Sequence, residues 1–170
     1  FLKENQSTIE FDQGRMRILW EKAKSDRKVP GRCGGSGFNL MIPLRKFGNP
    51  CAILGRIGSD KTERKIKKHI KELGVDSLLI KTEDYTTGRV LCFITPDHER
   101  SMLAHLGATA KLNPSDLKEE ELSSYNHWHI EGYAVFAGIV SKCLGIASKN
   151  NATVSLNLPT KNVITSFKKD

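Results

Sequence analysis

The sequence predicts an α/β fold built on a parallel sheet. Short apolar runs of strand character alternate with segments of helical period, and Gly, Pro and Asn breakers separate them. Parallel strands need a crossover connection, usually a helix, and that is what the alternation supplies. Only residues 88–106 depart from it, as two strand-like runs joined by turn chemistry around Pro96-Asp97. They form an antiparallel excursion from the main sheet. With 170 residues and 38% hydrophobic content, the chain can bury one core, so one domain is expected.

Taken in order, residues 38–47 suit a short helix, with Leu40, Met41, Leu44 and Phe47 apolar before the Gly48-Asn49-Pro50 breaker. Pro43 must lie near its first turn or kink it. "CAILGRIG" (51–58) reads as a buried strand. In "DKTERKIKKHIKELG" (60–74), Ile66, Ile70 and Leu73 recur at helical spacing while Lys and Arg fill the other face. Leu78 to Ile80 is a brief strand, followed by the hairpin 88–106. Asn113-Pro114-Ser115 starts a helix, because Pro is harmless in a first turn and the acidic residues that follow suit a helix N-terminus. Strand 127–131, helix 135–149, strand 152–158 and the start of another helix complete the series.

The balance of 27 Lys+Arg against 19 Asp+Glu gives a net charge of +8, which permits anionic partners without requiring them. The basic helix reads as a solvated face, and no zinc-finger spacing or RNA-binding signature accompanies it, so nucleic acid is a minor expectation. Four cysteines, Cys33, Cys51, Cys92 and Cys143, lack any C-x-x-C spacing, which fits reduced thiols in a cytoplasmic protein. No run approaches the roughly 18 apolar residues of a membrane span. The sequence opens on Phe1 and stops in "VITSFKKD", a helix-like pattern without a closing cap, which leaves a fragment of a longer protein and a genuine truncation both open.

Candidate chemistry begins at "GRCGGSGFNL" (31–40). A nucleotide-binding P-loop would need Gly-Lys-Ser/Thr after its glycines, and a dinucleotide fingerprint a third glycine at the right offset; neither is present. The segment instead offers a backbone bare of Cβ atoms, followed by Asn39, which both donates and accepts hydrogen bonds near a helix start. It is either a hydroxyl-binding floor or a plain turn. In "HWHIEGY", His127, His129 and Glu131 share one face of a strand, a ligand set that suits zinc or iron, but adjacent same-face residues on a straight strand diverge and no further ligand motif completes a site. Position is more informative, since Glu131 ends a parallel strand, where ligands of open α/β sheets bind. Asn157 ends the next strand and reads either as a loop cap or as a contact at the same edge.

"GGSGFN", with Gly48 and the Gly58 of "GRIGSDK", resembles the N-terminal signature of the PfkB (ribokinase-like) carbohydrate and nucleoside kinases. "TGRVLCFITPDHERSMLAHLGA", "HIEGY" and "NNATVSLNLP" follow in the order of that family's first half, and within it the chain is most similar to adenosine kinases. Met41, Pro43 and Thr62-Glu63 depart from the usual pattern. The resemblance implies a partial ribokinase-like three-layer α/β/α sandwich with a small β-sheet lid. Residues 1–170 would form a single incomplete domain, with lid segments at about 14–20, including a strand "MRIL" (16–19), and at 86–107.

For the complete enzyme the resemblance implies phosphoryl transfer from ATP, with Mg²⁺, to a hydroxymethyl group such as the 5'-OH of adenosine. Gly34, Gly35, Ser36 and Asn39 would hold ribose hydroxyls. Met102, Ala104 and Leu106 would line an apolar slot for a flat base, or else simply pack the lid against the main sheet. Tyr133 would stack on that base or cap the sheet. Arg100, otherwise a solvated charge, would approach the transferring phosphates on lid closure. Glu131 matches an acidic residue of the sugar kinases, which leaves ribokinase-like or fructokinase-like acceptors open. No Gly-Ala-Gly-Asp string, the family's anion hole and catalytic base, occurs in the 170 residues, so no catalytic residue, ATP or Mg²⁺ is assigned to this chain. The alternative in a different class is a non-catalytic relative acting as a binding module.

Overall fold

A computed structural model describes residues 8–10, 18–19, 21–22, 31–158 and 164–165. Its elements are β1 (Thr8–Glu10), α1 (Ser36–Lys46), β2 (Ala52–Gly58), α2 (Lys61–Glu72), β3 (Asp76–Thr82), β4 (Arg89–Ile94), β5 (Arg100–His105), α3 (Glu119–Leu122), β6 (His127–Ile130), α4 (Val140–Lys149) and β7 (Thr153–Leu156).

β2 pairs in parallel with β3 and β6 with β7, each pair bridged by a helix as parallel pairing demands. Among the described residues these are two separate two-stranded sheets rather than the single expected sheet. What joins them is packing. Leu54 and Leu78, side by side on one face of β2–β3, pack on the core formed by Trp128, Ile130, Ile139, Cys143, Ile146 and Ala147. Ile53 and Leu79 pack on the core of Phe38, Ile70 and Val75, contributed by α1, by α2 and by the turn after α2. Because successive strand residues alternate faces, β2–β3 is covered on both sides. That is the three-layer α/β/α arrangement.

α2 forms where the apolar period predicts it. Ile70 is only 1% exposed, while Lys61, Lys65, Lys67, Lys68 and Lys71 lie exposed, so the basic stretch is a solvated helix face over a packed stripe. The Asp60 side chain caps this helix by accepting from the N–H groups of Thr62 and Glu63. Pro43 falls well inside α1 rather than in its first turn. Three local expectations change. Asn113-Pro114-Ser115 opens a short 3₁₀ turn, Pro114–Asp116, because the Asp116 carboxylate folds back to accept from the Asn113 N–H and takes a bidentate ion pair from Arg56 at 2.7 Å. The helix expected over 135–149 is a 3₁₀ turn, Gly132–Ala137, then α4, broken at Gly138 in the left-handed region. "MRIL" is not a strand in its described part: Ile18 and Leu19 are helical, whereas residues 14–17 and 20 lie outside the described residues.

The hairpin is as expected, β4 antiparallel to β5 with Val90 opposite Ala104 and Cys92 opposite Met102. Its sheet gains a third strand from β1, which pairs in parallel with β5. Leu91 and Leu103 bury one face at 4% and 6% exposure, and the other face carries Val90, Cys92, Ile94, Met102 and Arg100, of which Val90 and Ile94 are 52% and 72% exposed.

Candidate functional site

The glycine stretch leads straight into α1. Gly35 precedes the first helical residue with φ of +104°, a conformation that only glycine adopts readily. A Cβ built on Gly34 or Gly35 would meet nothing within 4 Å among the described residues, so the described protein is not packed against these glycines. One helical turn on, the Asn39 N–H donates to the Gly35 carbonyl at 2.9 Å and its side chain lies at the surface. Both polar groups of this floor are therefore accessible from outside.

Ser36, Glu131 and Asn157 meet at one point. The Ser36 hydroxyl donates to Glu131 Oε2, and the Asn157 amide donates to Glu131 Oε1 at 3.1 Å. Glu131 immediately follows β6 and Asn157 immediately follows β7, whose ends are held together by the Asn157 N–H donating to the Ile130 carbonyl at 3.0 Å. Two parallel strands thus deliver their carboxyl-terminal residues to the N-terminus of α1, where the helix dipole favours a carboxylate. Gly37 lines the same contact, its Cβ position 3.9 Å from Glu131 Oε2. Tyr133 lies beside this edge in the turn after β6 and is 48% exposed.

The remaining expected residues belong to the lid sheet. Arg100 is the first residue of β5, exposed, and shares a face with Met102 and Ala104. Ala104 is buried beside its neighbours in the central strand. Leu106 does not continue that face. The strand ends at His105, and Leu106 turns into helical backbone to cap a 3₁₀ turn, so the alternation that grouped it with Met102 and Ala104 stops one residue short. The metal reading of "HWHIEGY" loses its ligands to ordinary partners. His127 bonds Thr153 Oγ1 at 2.7 Å and Ser155 Oγ at 3.1 Å, and His129 bonds Ser155 Oγ at 2.9 Å. Among the described residues no group of three or more His, Cys, Asp or Glu side chains is arranged to hold a metal ion.

A junction that the sequence reading missed lies at the foot of the lid. Asp60 accepts from Thr87 N–H at 3.0 Å, Thr87 Oγ1 at 2.9 Å and Arg89 Nη2 at 2.8 Å, besides its two helix-cap bonds. Burial pushes its carboxyl up, but the Glu63 and Thr87 N–H groups, the Thr87 hydroxyl and the Arg89 charge more than offset this, leaving it below the ordinary aspartate range. An Asp directly before a helical period is a legible cap signal; its tie to Arg89 is not, because the two are far apart in sequence.

The pfkB family carbohydrate kinase model matches residues 19–164, most of the chain, including the α1 N-terminus, the ends of β6 and β7 and the hairpin β4–β5. The chain belongs to this family. Aminoimidazole riboside kinase of Salmonella typhimurium is 31% identical over 103 residues, 59% of this chain and 31% of that protein. 5-Dehydro-2-deoxygluconokinase of Listeria monocytogenes is 27% identical over 133 residues, 74% of this chain and 41% of that protein. Among solved structures, adenosine kinase from Schistosoma mansoni in complex with 2-fluoroadenosine superimposes with a TM-score of 0.82 at 20% identity, over 97% of this chain and 51% of that one. Adenosine kinase from Anopheles gambiae gives 0.84 at 18% identity, over 98% and 54%. At such identities the structures establish the ribokinase-like fold. The pfkB-family chain spans about half the length of these structures and less of the curated relatives. No helix among its described residues is long and apolar enough to cross a membrane.

Proposed function

We propose that this pfkB-family chain supplies the acceptor-binding half of an ATP-dependent kinase whose acceptor is a ribonucleoside of the adenosine type. The observation that carries the reading is the convergence at the α1 N-terminus: open glycine backbone at Gly34-Gly35, the accessible Asn39, and the Ser36–Glu131–Asn157 cluster on the carboxyl ends of β6 and β7. These groups donate and accept at one edge of the molecule, as a ribose with adjacent hydroxyls requires. The lid's open face, with Met102 in its middle and Arg100 at its end, suits a flat base and a passing phosphate, since the packing role falls to Leu91 and Leu103 on the opposite face. Relatives named for a riboside and for adenosine support a ribose-bearing acceptor. The glycine floor does not fit Mg²⁺ and a triphosphate: its one carboxylate among the described residues is engaged by Ser36 and Asn157. Phosphoryl donation is therefore assigned to residues other than these, and no step of it is placed on them.

A second reading, a free sugar as acceptor, draws on Glu131, whose carboxylate matches a polyol better than a base, and on the Listeria relative. Titration of the chain with adenosine, 2'-deoxyadenosine and ribose separates the two. On the ribonucleoside reading adenosine binds best, and Asn39→Ala lowers its advantage over 2'-deoxyadenosine by about 2 kcal/mol, roughly thirtyfold. Unchanged discrimination in Asn39→Ala removes Asn39 from the site, and preferential binding of ribose replaces the nucleoside reading with the sugar one.

A further inference from the structure

Apart from β1, which pairs with β5 inside the lid sheet, the side-chain hydrogen bonds that tie the lid hairpin to the body lie, among the described residues, at one end. Arg89 and His105 are directly opposite each other at its foot. Arg89 Nη2 donates to Asp60 Oδ2 at 2.8 Å and to Thr62 Oγ1 at 3.0 Å, while His105 Nε2 shares a hydrogen bond with Thr86 Oγ1 at 3.1 Å. At the far end the hairpin is bare, with every residue from Cys92 to Arg100 exposed. A hairpin held in this way takes its inclination from its foot.

The foot itself is densely hydrogen-bonded. Asp60 gathers five donors from three places: the start of α2, the backbone and hydroxyl of Thr87, and the guanidinium of Arg89. Thr87 is 4% exposed, and its hydroxyl also accepts from the Gly58 N–H. Glycines let the strands approach: a Cβ on Gly88 would lie 2.8 Å from the Leu106 carbonyl oxygen, and one on Gly107 would lie 2.1 Å from that of Thr86. Helix and lid therefore share one carboxylate, and β2 joins them through the Thr87 hydroxyl.

We infer that Asp60, acting through Arg89, is a positioning residue that sets the inclination of the lid's Arg100–Met102 face. It touches no acceptor itself. The inference rests on the reading of the hairpin as a cover for the acceptor, but its structural core does not depend on which acceptor binds.

Two substitutions separate this role from the helix cap. Asp60→Asn keeps an oxygen for the Thr62 and Glu63 N–H groups but turns an amide donor towards the Arg89 and Thr87 donors; Arg89→Gln removes the charge and leaves the cap untouched. Amide hydrogen exchange on the chain is the measurement. Each variant is expected to speed exchange in β4 and β5 roughly tenfold, the equivalent of losing one charge-assisted bond, with α2 and β2–β3 unchanged. The double variant is expected to do no more than either single one, and Arg89→Lys to restore protection, since one ammonium can reach both Asp60 and Thr62. Adenosine affinity should fall several-fold in Asp60→Asn and Arg89→Gln and recover in Arg89→Lys. Unchanged lid exchange, a rise spread over the whole chain, or additive effects in the double variant would each overturn the inference. Should Asp60→Asn not fold, Arg89→Gln decides alone by the same local-against-global criterion. If exchange behaves as expected while adenosine does not bind to the parent chain, the ribonucleoside reading fails and the anchor stands.

Discussion

Replacing Gly58 by alanine tests whether the last residue of β2 is glycine for packing. An ideal Cβ at this position would lie 2.3 Å from both the Thr87 nitrogen and the Tyr85 carbonyl oxygen and 2.4 Å from the Thr86 carbonyl carbon. All three are backbone atoms, so no side chain can swing aside; the segment 85–87 must move instead. Moving it strains two hydrogen bonds, Gly58 N–H to Thr87 Oγ1 at 3.2 Å and Ser59 N–H to the Tyr85 carbonyl at 3.3 Å. Overpacking of this kind costs about 1–3 kcal/mol, and each weakened bond adds up to about 1 kcal/mol, for a total near 3 kcal/mol. Gly55→Ala, in the same strand, is the control. Its nearest neighbour would be the Leu79 Cδ2 methyl at 3.8 Å, an ordinary contact, so it should be neutral or slightly stabilising. Urea unfolding followed by circular dichroism gives both numbers, and the thermal midpoint of Gly58→Ala should drop by roughly 6–12 °C. A loss below about 1 kcal/mol for Gly58→Ala, or equal losses for the two variants, would refute the packing argument.

Ser36→Ala and Asn157→Ala remove the two donors to Glu131, so their effects on urea stability should not add; a coupling of about 0.5–1 kcal/mol is expected in the double-variant cycle, and strict additivity would mean that the three groups do not act as a unit. Acid should weaken the fold through Asp116 as well as Asp60. Burial raises the Asp116 carboxyl, but the Arg56 hydrogen bonds, the Asn113 N–H and the Arg56 charge hold it below its ordinary value. In the unfolded chain aspartate takes up a proton at about pH 3.9, before the folded form does, so this stabilisation is complete above that pH and is lost as pH falls through the lowered folded values. Asp116→Asn should therefore flatten the decline in urea stability below about pH 4, and an unchanged slope would show that the carboxylate does not carry it.

Much of this molecule is legible along the chain. Element order, the parallel pairing implied by alternating strands and helices, the hairpin about Pro96-Asp97 and the glycine turn that leads into α1 all follow from periods, breakers and local spacing, because each depends on residues within a turn or two of one another. Local reading fails where a longer-range contact competes. Ile70 and Lys71 sort correctly by period, but the turn at Pro114–Asp116 is set by Arg56 from another strand, and the end of β5 is set by the close packing at Gly88 and Gly107 that turns Leu106 off the lid face. Ser36, Glu131 and Asn157 were individually nameable as a helix start and two strand ends. That Ser36 donates to a carboxylate 95 positions away, that Asn157 meets the same carboxylate from 26 away, and that Asp60 grips Arg89 across 29 are facts of chain path. Periodicity fixes which face a side chain takes; only packing the layers around β2–β3, with backbone close enough to need glycine at Gly58, decides which faces and ends meet.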